Sequence, residues 1–171
     1  YVKASVHYGH SPKEWNPKMA PYILYAKYGY HIFDLVKTSK LLKVAGNVLE
    51  KKAKKGGKFL FVGTNKLSAS IVAKQAKRVD SFYVNYRWLG GMLTNWSTIK
   101  KRIERLRILE EQEVNGTFES LSKKDYSAQR KEMDKLKKLF NGIKEMTELP
   151  DVVIFTSQLK DSLAIKECLR L

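Results

Sequence analysis

Three groupings of side chains in this sequence could support chemistry, and each lacks a component. His7-x-x-His10 places two imidazoles within reach of one metal ion, and His31 is the remaining histidine. Zinc takes three or four protein ligands, and Cys168 is the single cysteine of the chain, so no metal site is expected. Gly63-Thr64-Asn65-Lys66 follows an apolar run and opens an amphipathic one, the position at which helix N–H groups receive phosphate. It has neither the glycine spacing of a Walker loop nor the three glycines of a dinucleotide fingerprint. A tight strand-to-helix turn is therefore the expectation, with a nucleotide- or flavin-binding enzyme as the alternative. Asp34 and Asp80 are the only aspartates before residue 125, which leaves little for paired-carboxylate catalysis. Cys168 falls in a stripe with Leu163, Ile165 and Leu169 and reads as a buried structural thiol. No catalytic residue and no cofactor is expected.

Charge offers a different chemistry. The 171 residues hold 33 Lys and Arg against 17 Asp and Glu, a net charge of +16. The excess is +8 over residues 1–56, +5 over 57–95 and +4 over 96–140, while 141–171 carry −1. Solubility alone needs a net charge of only about 2–8 in a small domain, so a polyanionic partner bound in a salt-dependent way is expected. No apolar run approaches the roughly 20 residues of a membrane span, so no membrane is expected among the partners. Aromatic residues are interleaved with the cations: Tyr8, Trp15, Tyr25 and Tyr28 among Lys13, Lys18 and Lys27, then Arg87-Trp88, then Trp96 before Lys100-Lys101-Arg102. Lys and Arg hold phosphates and aromatic planes stack on unpaired bases; most of these rings read as core. Lys13, Lys18, Arg87, Lys100, Lys101, Arg102, Lys123 and Lys124 are the candidate phosphate contacts.

The elements that must position these cations alternate. After Pro12, Pro17 and Pro21, two short strands at 22–25 and 30–33 flank Gly29 as a hairpin. Asp34 can cap a helix with an apolar face of Leu41, Leu42, Ala45, Val48, Leu49 and Ala53, which stops at Gly56-Gly57. Phe59-Leu60-Phe61-Val62 is a continuous apolar run, as in a strand covered on both faces. A helix over 67–79, strand Phe82-Tyr83-Val84, strand Val152-Val153-Ile154-Phe155 and a helix over 162–169 follow. This alternation predicts an α/β fold with a mostly parallel sheet and helices on both faces. Residues 96–140 break the rhythm. Ile99, Ile103, Leu106 and Leu109 repeat at helical spacing, and Tyr126, Gln129, Met133, Leu136 and Phe140 form a heptad seam. Asn115-Gly116 can end the first helix and Ser122-x-x-Asp125 can start the second, giving an antiparallel helical hairpin.

The run Val84-Asn85-Tyr86-Arg87-Trp88-Leu89-Gly90-Gly91-Met92-Leu93-Thr94-Asn95 closely resembles the signature of the bacterial-type ribosomal protein S-two family of the small subunit. So do His7-Tyr8-Gly9-His10 with Trp15-Asn16-Pro17-Lys18-Met19, His31-Ile32-Phe33-Asp34-Leu35 and Phe61-Val62-Gly63-Thr64. Gly142-Ile143-Lys144 and Leu149-Pro150-Asp151 match later in the same order. The resemblance implies a flavodoxin-like three-layer α/β/α body made of residues 1–95 and 141–171, with 96–140 as an inserted helical hairpin. It implies a structural protein of the ribosome rather than an enzyme, without metal or cofactor and not a homo-oligomer. Its partners would be small-subunit ribosomal RNA, at the junction of head and body near the messenger exit, and neighbouring ribosomal proteins. Met146-Thr147-Glu148-Leu149-Pro150 and Glu167-Cys168 look most like plastid members, with a mitochondrial or bacterial source as the alternative. Family members continue beyond the position of Leu171 with a further strand, so the body's last strands are expected to be absent from these residues.

Overall fold

The computed structural model describes residues 1–120 and 122–171, which divide into two compact units, Tyr1–Gly56 and Gly57–Leu171.

In the first unit, 3-10 turns at Val2–Ala4 and Pro17–Tyr22 precede strands β1 (Ile23–Lys27) and β2 (Tyr30–Phe33) and helix α1 (Leu35–Lys54). The strands pair antiparallel with Lys27 opposite Tyr30. Both turn residues between them, Tyr28 and Gly29, have positive φ of 52° and 77°, the twist that a two-residue hairpin loop needs. Main-chain bonds from Gly9 to His31, His31 to His10 and Phe33 to His7 lay the amino-terminal segment along β2. The Asp34 carboxylate accepts from the Val36 and Lys37 N–H groups and caps α1 as anticipated. The apolar face expected on α1 is present in its spacing, but no residue of the helix is buried, and Leu42 is 57% exposed. The hairpin and amino-terminal segment leave an apolar groove of about 530 Å³ beside Leu41, Leu42 and Ala45.

The second unit contains β3 (Phe59–Val62), α2 (Lys66–Arg78), β4 (Phe82–Val84), α3 (Trp96–Val114), α4 (Lys123–Phe140), β5 (Val152–Phe155) and α5 (Ser162–Cys168). Short 3-10 turns lie at Thr117–Ser120 and Asn141–Ile143. The strands form a parallel sheet in the order β4-β3-β5. The period-2 alternation of a strand sends Phe61 and Tyr83 toward Val72, Ala73 and Ala76 of α2. Leu60, Val62 and Val84 point into the larger core with Trp88, Met92, Leu93 and Ala164. Both faces of the apolar run at 59–62 are thus covered, as it predicted.

That larger core continues without a break into the hairpin through Ile143 and Phe140, then Ile99, Ile103, Leu106, Leu109, Met133 and Leu136. The anticipated seam is therefore real, although Tyr126 at its outer end is exposed. The Ser122 hydroxyl accepts from the Asp125 N–H and donates to the Asp125 carboxylate, closing the expected cap of α4. Gly116, with φ 71°, follows the end of α3. Gly142 packs so tightly on β4 that a Cβ would lie 2.1 Å from the Tyr83 carbonyl oxygen.

Helix α5 turns a different side inward from the one its leucines suggested. Leu163 and Leu169 are exposed, Leu169 by 82%, while Ala164 and Glu167 are buried. Cys168 is half-buried against the core, and that burial pushes its thiol pKa up. No helix among the described residues is long and apolar enough to cross a membrane.

Candidate nucleic-acid interface

The hairpin carries most of the candidate cations, and its geometry sorts them into two classes. The first class is consumed internally. Arg105 pairs with Glu132 across the two helices at 2.9 Å. Glu113 accepts from Arg130 and lies 3.4 Å from Lys137. Glu110 pairs with Lys144 and lies 3.8 Å from Lys137. Arg107 donates to the Lys144 carbonyl at 2.8 Å and reaches Glu145.

The second class is exposed and forms no ion pair among the described residues: Lys101, Arg102, Lys123, Lys124, Lys131, Lys135 and Lys138. Lys100 is exposed as well, with its ammonium 5.8 Å over the Trp96 ring. The 2.7 Å contact from Lys58 holds the Glu148 carboxyl below its usual range, and the charge of Lys100 adds to that effect.

On α4, Lys124, Lys131, Lys135 and Lys138 recur at intervals of seven, four and three residues. At 3.6 residues per turn they share a sector of roughly 60° and span about 21 Å of helix. Met133, Leu136 and Phe140 occupy the opposite, buried side. A row of unpaired ammonium groups of that length can track a phosphodiester backbone, whose charges lie a few ångströms apart.

Among the candidates, Lys100, Lys101 and Arg102 share the first turns of α3, and Lys123 and Lys124 share the first turn of α4. Because the helices run antiparallel, these groups stand at opposite ends of the hairpin. The lysine row runs along α4 over most of its length. Lys131, Lys135 and Lys138 are not among the candidates, although their position opposite the heptad seam is available in the spacing. Lys13 and Lys18 are exposed in the first unit, where the Asn16 side chain accepts from the Lys18 N–H.

Arg87 lies on the loop at 85–95 that follows β4. Its side chain and that of Tyr86 point outward, Tyr86 being 58% exposed, while Trp88, Met92 and Leu93 are buried. Glu167 of α5 holds the loop. Its Oε2 accepts from Trp88 Nε1–H at 2.9 Å and Gly91 N–H at 3.2 Å. Its Oε1 accepts from Leu93 N–H at 2.7 Å, Thr94 N–H at 2.8 Å and the Thr94 hydroxyl at 3.0 Å. Burial works to raise the carboxyl pKa, but these donors outweigh it and hold the group below its usual range. In the sequence Glu167 stands out only within the plastid-like pair Glu167-Cys168, which carries no signal of this role.

Tyr8, Tyr25 and Tyr28 stand exposed, Tyr28 with the Lys27 ammonium 4.9 Å from its ring centre, whereas Trp88 is buried and Trp96 packs on the core. Of the groups first considered for other chemistry, the histidine rings lie against aromatics, His7 on Tyr8 and His31 on Trp15. The 63–66 turn is filled by the protein's own atoms. Thr64 Oγ1 donates to the buried Asp161 carboxylate at 2.7 Å, and a Cβ on Gly63 would lie 2.6 Å from Val72 Cγ2. A buried carboxylate behind a closed turn opposes phosphate binding there.

Comparison with known proteins agrees with a ribosomal role. The small ribosomal subunit protein uS2c of Porphyra purpurea is 52% identical over 99% of this chain and 70% of its own length. The uS2c of Phaeodactylum tricornutum is 50% identical over 99% of the chain and 75% of its own. The small ribosomal subunit protein uS2 of Nostoc punctiforme is 48% identical over 99% of the chain and 64% of its own. The sequence profile of the family described as Ribosomal protein S2 matches residues 1–171 in full, and the chain therefore belongs to the ribosomal protein S2 family.

Proposed function

We propose that the chain grips small-subunit ribosomal RNA along the outer side of the hairpin and helps to seat neighbouring ribosomal proteins. As a member of its family it is a structural component of the small ribosomal subunit and not an enzyme. Its similarity to plastid uS2c proteins of algae assigns it to the plastid ribosome. In this reading residues 96–140 are an insertion, with 1–95 and 141–171 forming a flavodoxin-like α/β body.

One observation carries the RNA reading: the hairpin neutralises its inner cations with its own glutamates and leaves the outer row of lysines unpaired. Charges left unpaired over about 21 Å repel one another in the free protein, and a polyanion relieves that repulsion. RNA shape, read through phosphates, supplies the specificity. The test replaces Lys100, Lys101 and Arg102 together with Ala and measures affinity for a small-subunit ribosomal RNA transcript across a salt series. Affinity falls and the salt dependence flattens, with the thermal midpoint retained. An unchanged slope refutes contact at this end of the hairpin.

A further inference from the structure

We infer that Glu167 is a positioning residue, whose carboxylate fixes the 85–95 loop so that Arg87 and Tyr86 are presented to RNA before RNA arrives. The inference rests on the RNA-binding reading of the chain and adds to it a part for a residue 80 positions from Arg87.

Five donors from four residues converge on one carboxylate. The loop's own main-chain bonds are few: Met92 N–H to Leu89 O and Asn95 N–H to Gly91 O. Besides the burial of Trp88, Met92 and Leu93 in the core, its polar anchors are Glu167, the Asn85–Ala69 bond and the turn at Gly91, whose φ of 82° suits glycine. The groups that Glu167 anchors all follow Tyr86 and Arg87 in the chain, and on the other side the Asn85 side-chain amide donates to the Ala69 carbonyl at 3.3 Å. Trp88 follows Arg87 directly, and its indole N–H is held by Glu167 at 2.9 Å. A fixed indole fixes the backbone from which Arg87 departs.

An ionised carboxylate suits this task because it only accepts, with about four lone-pair sites on two oxygens. A glutamine offers one accepting oxygen and turns an NH2 group toward donors, so at least one end of the loop is released. A side chain ordered in advance loses less freedom on binding than one on a loose loop. Loss of the anchor therefore lowers affinity without removing a phosphate contact. That combination separates positioning from contact.

The experiment uses the full chain and the same ribosomal RNA transcript. Affinity is measured across a salt series for Glu167→Gln, Trp88→Phe and Arg87→Ala, with amide hydrogen exchange of Leu93 and Thr94 in the free proteins. Glu167→Gln weakens binding about tenfold, the scale of ordering one or two side chains, speeds exchange at Leu93 and Thr94, and leaves the salt slope unchanged. Arg87→Ala lowers the slope by about 0.7–0.9, one phosphate contact. Trp88→Phe keeps an aromatic ring and deletes a single donor; it weakens binding less, again at constant slope, and serves alone if Glu167→Gln fails to fold. Wild-type affinity in the folded Glu167 or Trp88 variant, with Arg87→Ala weakened, overturns the positioning role and leaves the RNA reading standing. Wild-type affinity and slope in Arg87→Ala and in the α3 triple variant overturn both.

Discussion

If arrangement and not bulk charge makes the hairpin a binding surface, two variants with the same loss of charge must behave differently. In one, Lys124, Lys131 and Lys135 become Gln; in the other, Arg105, Arg130 and Lys137 become Gln. Each removes three positive charges. The first set is exposed and without ion-pair partners among the described residues. The second is neutralised by Glu132, Glu113 and Glu110. Each phosphate contact contributes about 0.7–0.9 to the slope of log affinity against log salt, so the first variant loses roughly 2–3 slope units. Between 50 and 200 mM salt, that loss amounts to an affinity difference of about 16- to 64-fold. The second variant removes charges already opposed by carboxylates and shifts the slope by less than about one unit. Its effect appears in stability. Partly exposed pairs contribute about 0.2–1 kcal/mol each, so the three substitutions cost about 0.6–3 kcal/mol. Anisotropy titrations of a labelled ribosomal RNA transcript from 50 to 300 mM potassium chloride, with thermal melts by circular dichroism, measure both quantities. Equal slope losses in the two variants refute the distinction between free and paired cations.

Two further outcomes follow from the packing. Gly142→Ala forces a Cβ to within 2.1 Å of the Tyr83 carbonyl oxygen and 2.6 Å of its ring; overpacking of this kind costs about 1–3 kcal/mol or more, read as a lower denaturation midpoint at constant slope, and an unmoved midpoint contradicts the close approach. Glu167 carries a depressed pKa in the fold, so the stability it confers is fully present above the unfolded value of about 4.3 and is lost as pH falls through the folded one. Stability should therefore decline on acidification below about pH 4.3, less steeply in Glu167→Gln; identical acid profiles for the two proteins rule out the depressed carboxyl.

The parallel sheet and its flanking helices were legible because their signals are local. Leu60 and Val62 alternate with Phe61 in a run bounded by Gly57 and Gly63, and the observed β3 occupies that run. The caps at Asp34 and Ser122 were equally readable, since both oxygens bond N–H groups two or three residues ahead. For α1, spacing identified the apolar face, but spacing says nothing about what comes to meet it, and the groove beside Leu41 and Leu42 stays open. For α5 the reading followed hydrophobicity and selected Leu163 and Leu169. The helix instead turns Glu167 inward, because the loop at 85–95 needs an acceptor for five donors. A carboxylate is costly to bury alone and acceptable when fully bonded. Those donors stand more than 70 positions earlier in the chain, beyond any local pattern.

The sorting of hairpin cations shows the same limit in another form. Along α3 and α4 the sequence mixes both signs, and adjacency gives no means of telling Arg130 from Lys131. Partners are set by the antiparallel crossing: Glu113 meets Arg130, Glu110 meets Lys137 and Arg105 meets Glu132. Each pair flanks the apolar seam, where the two helices are closest. Lys131, Lys135 and Lys138 lie on the side of α4 opposite the seam and form no ion pair among the described residues. The seam was visible as a heptad, so its opposite side was visible too; what required the fold was the knowledge that glutamates gather beside the seam and leave the far side uncompensated. A surface built in this way holds itself together with one set of charges and exposes another, so hairpin stability and RNA affinity should be separable by mutation.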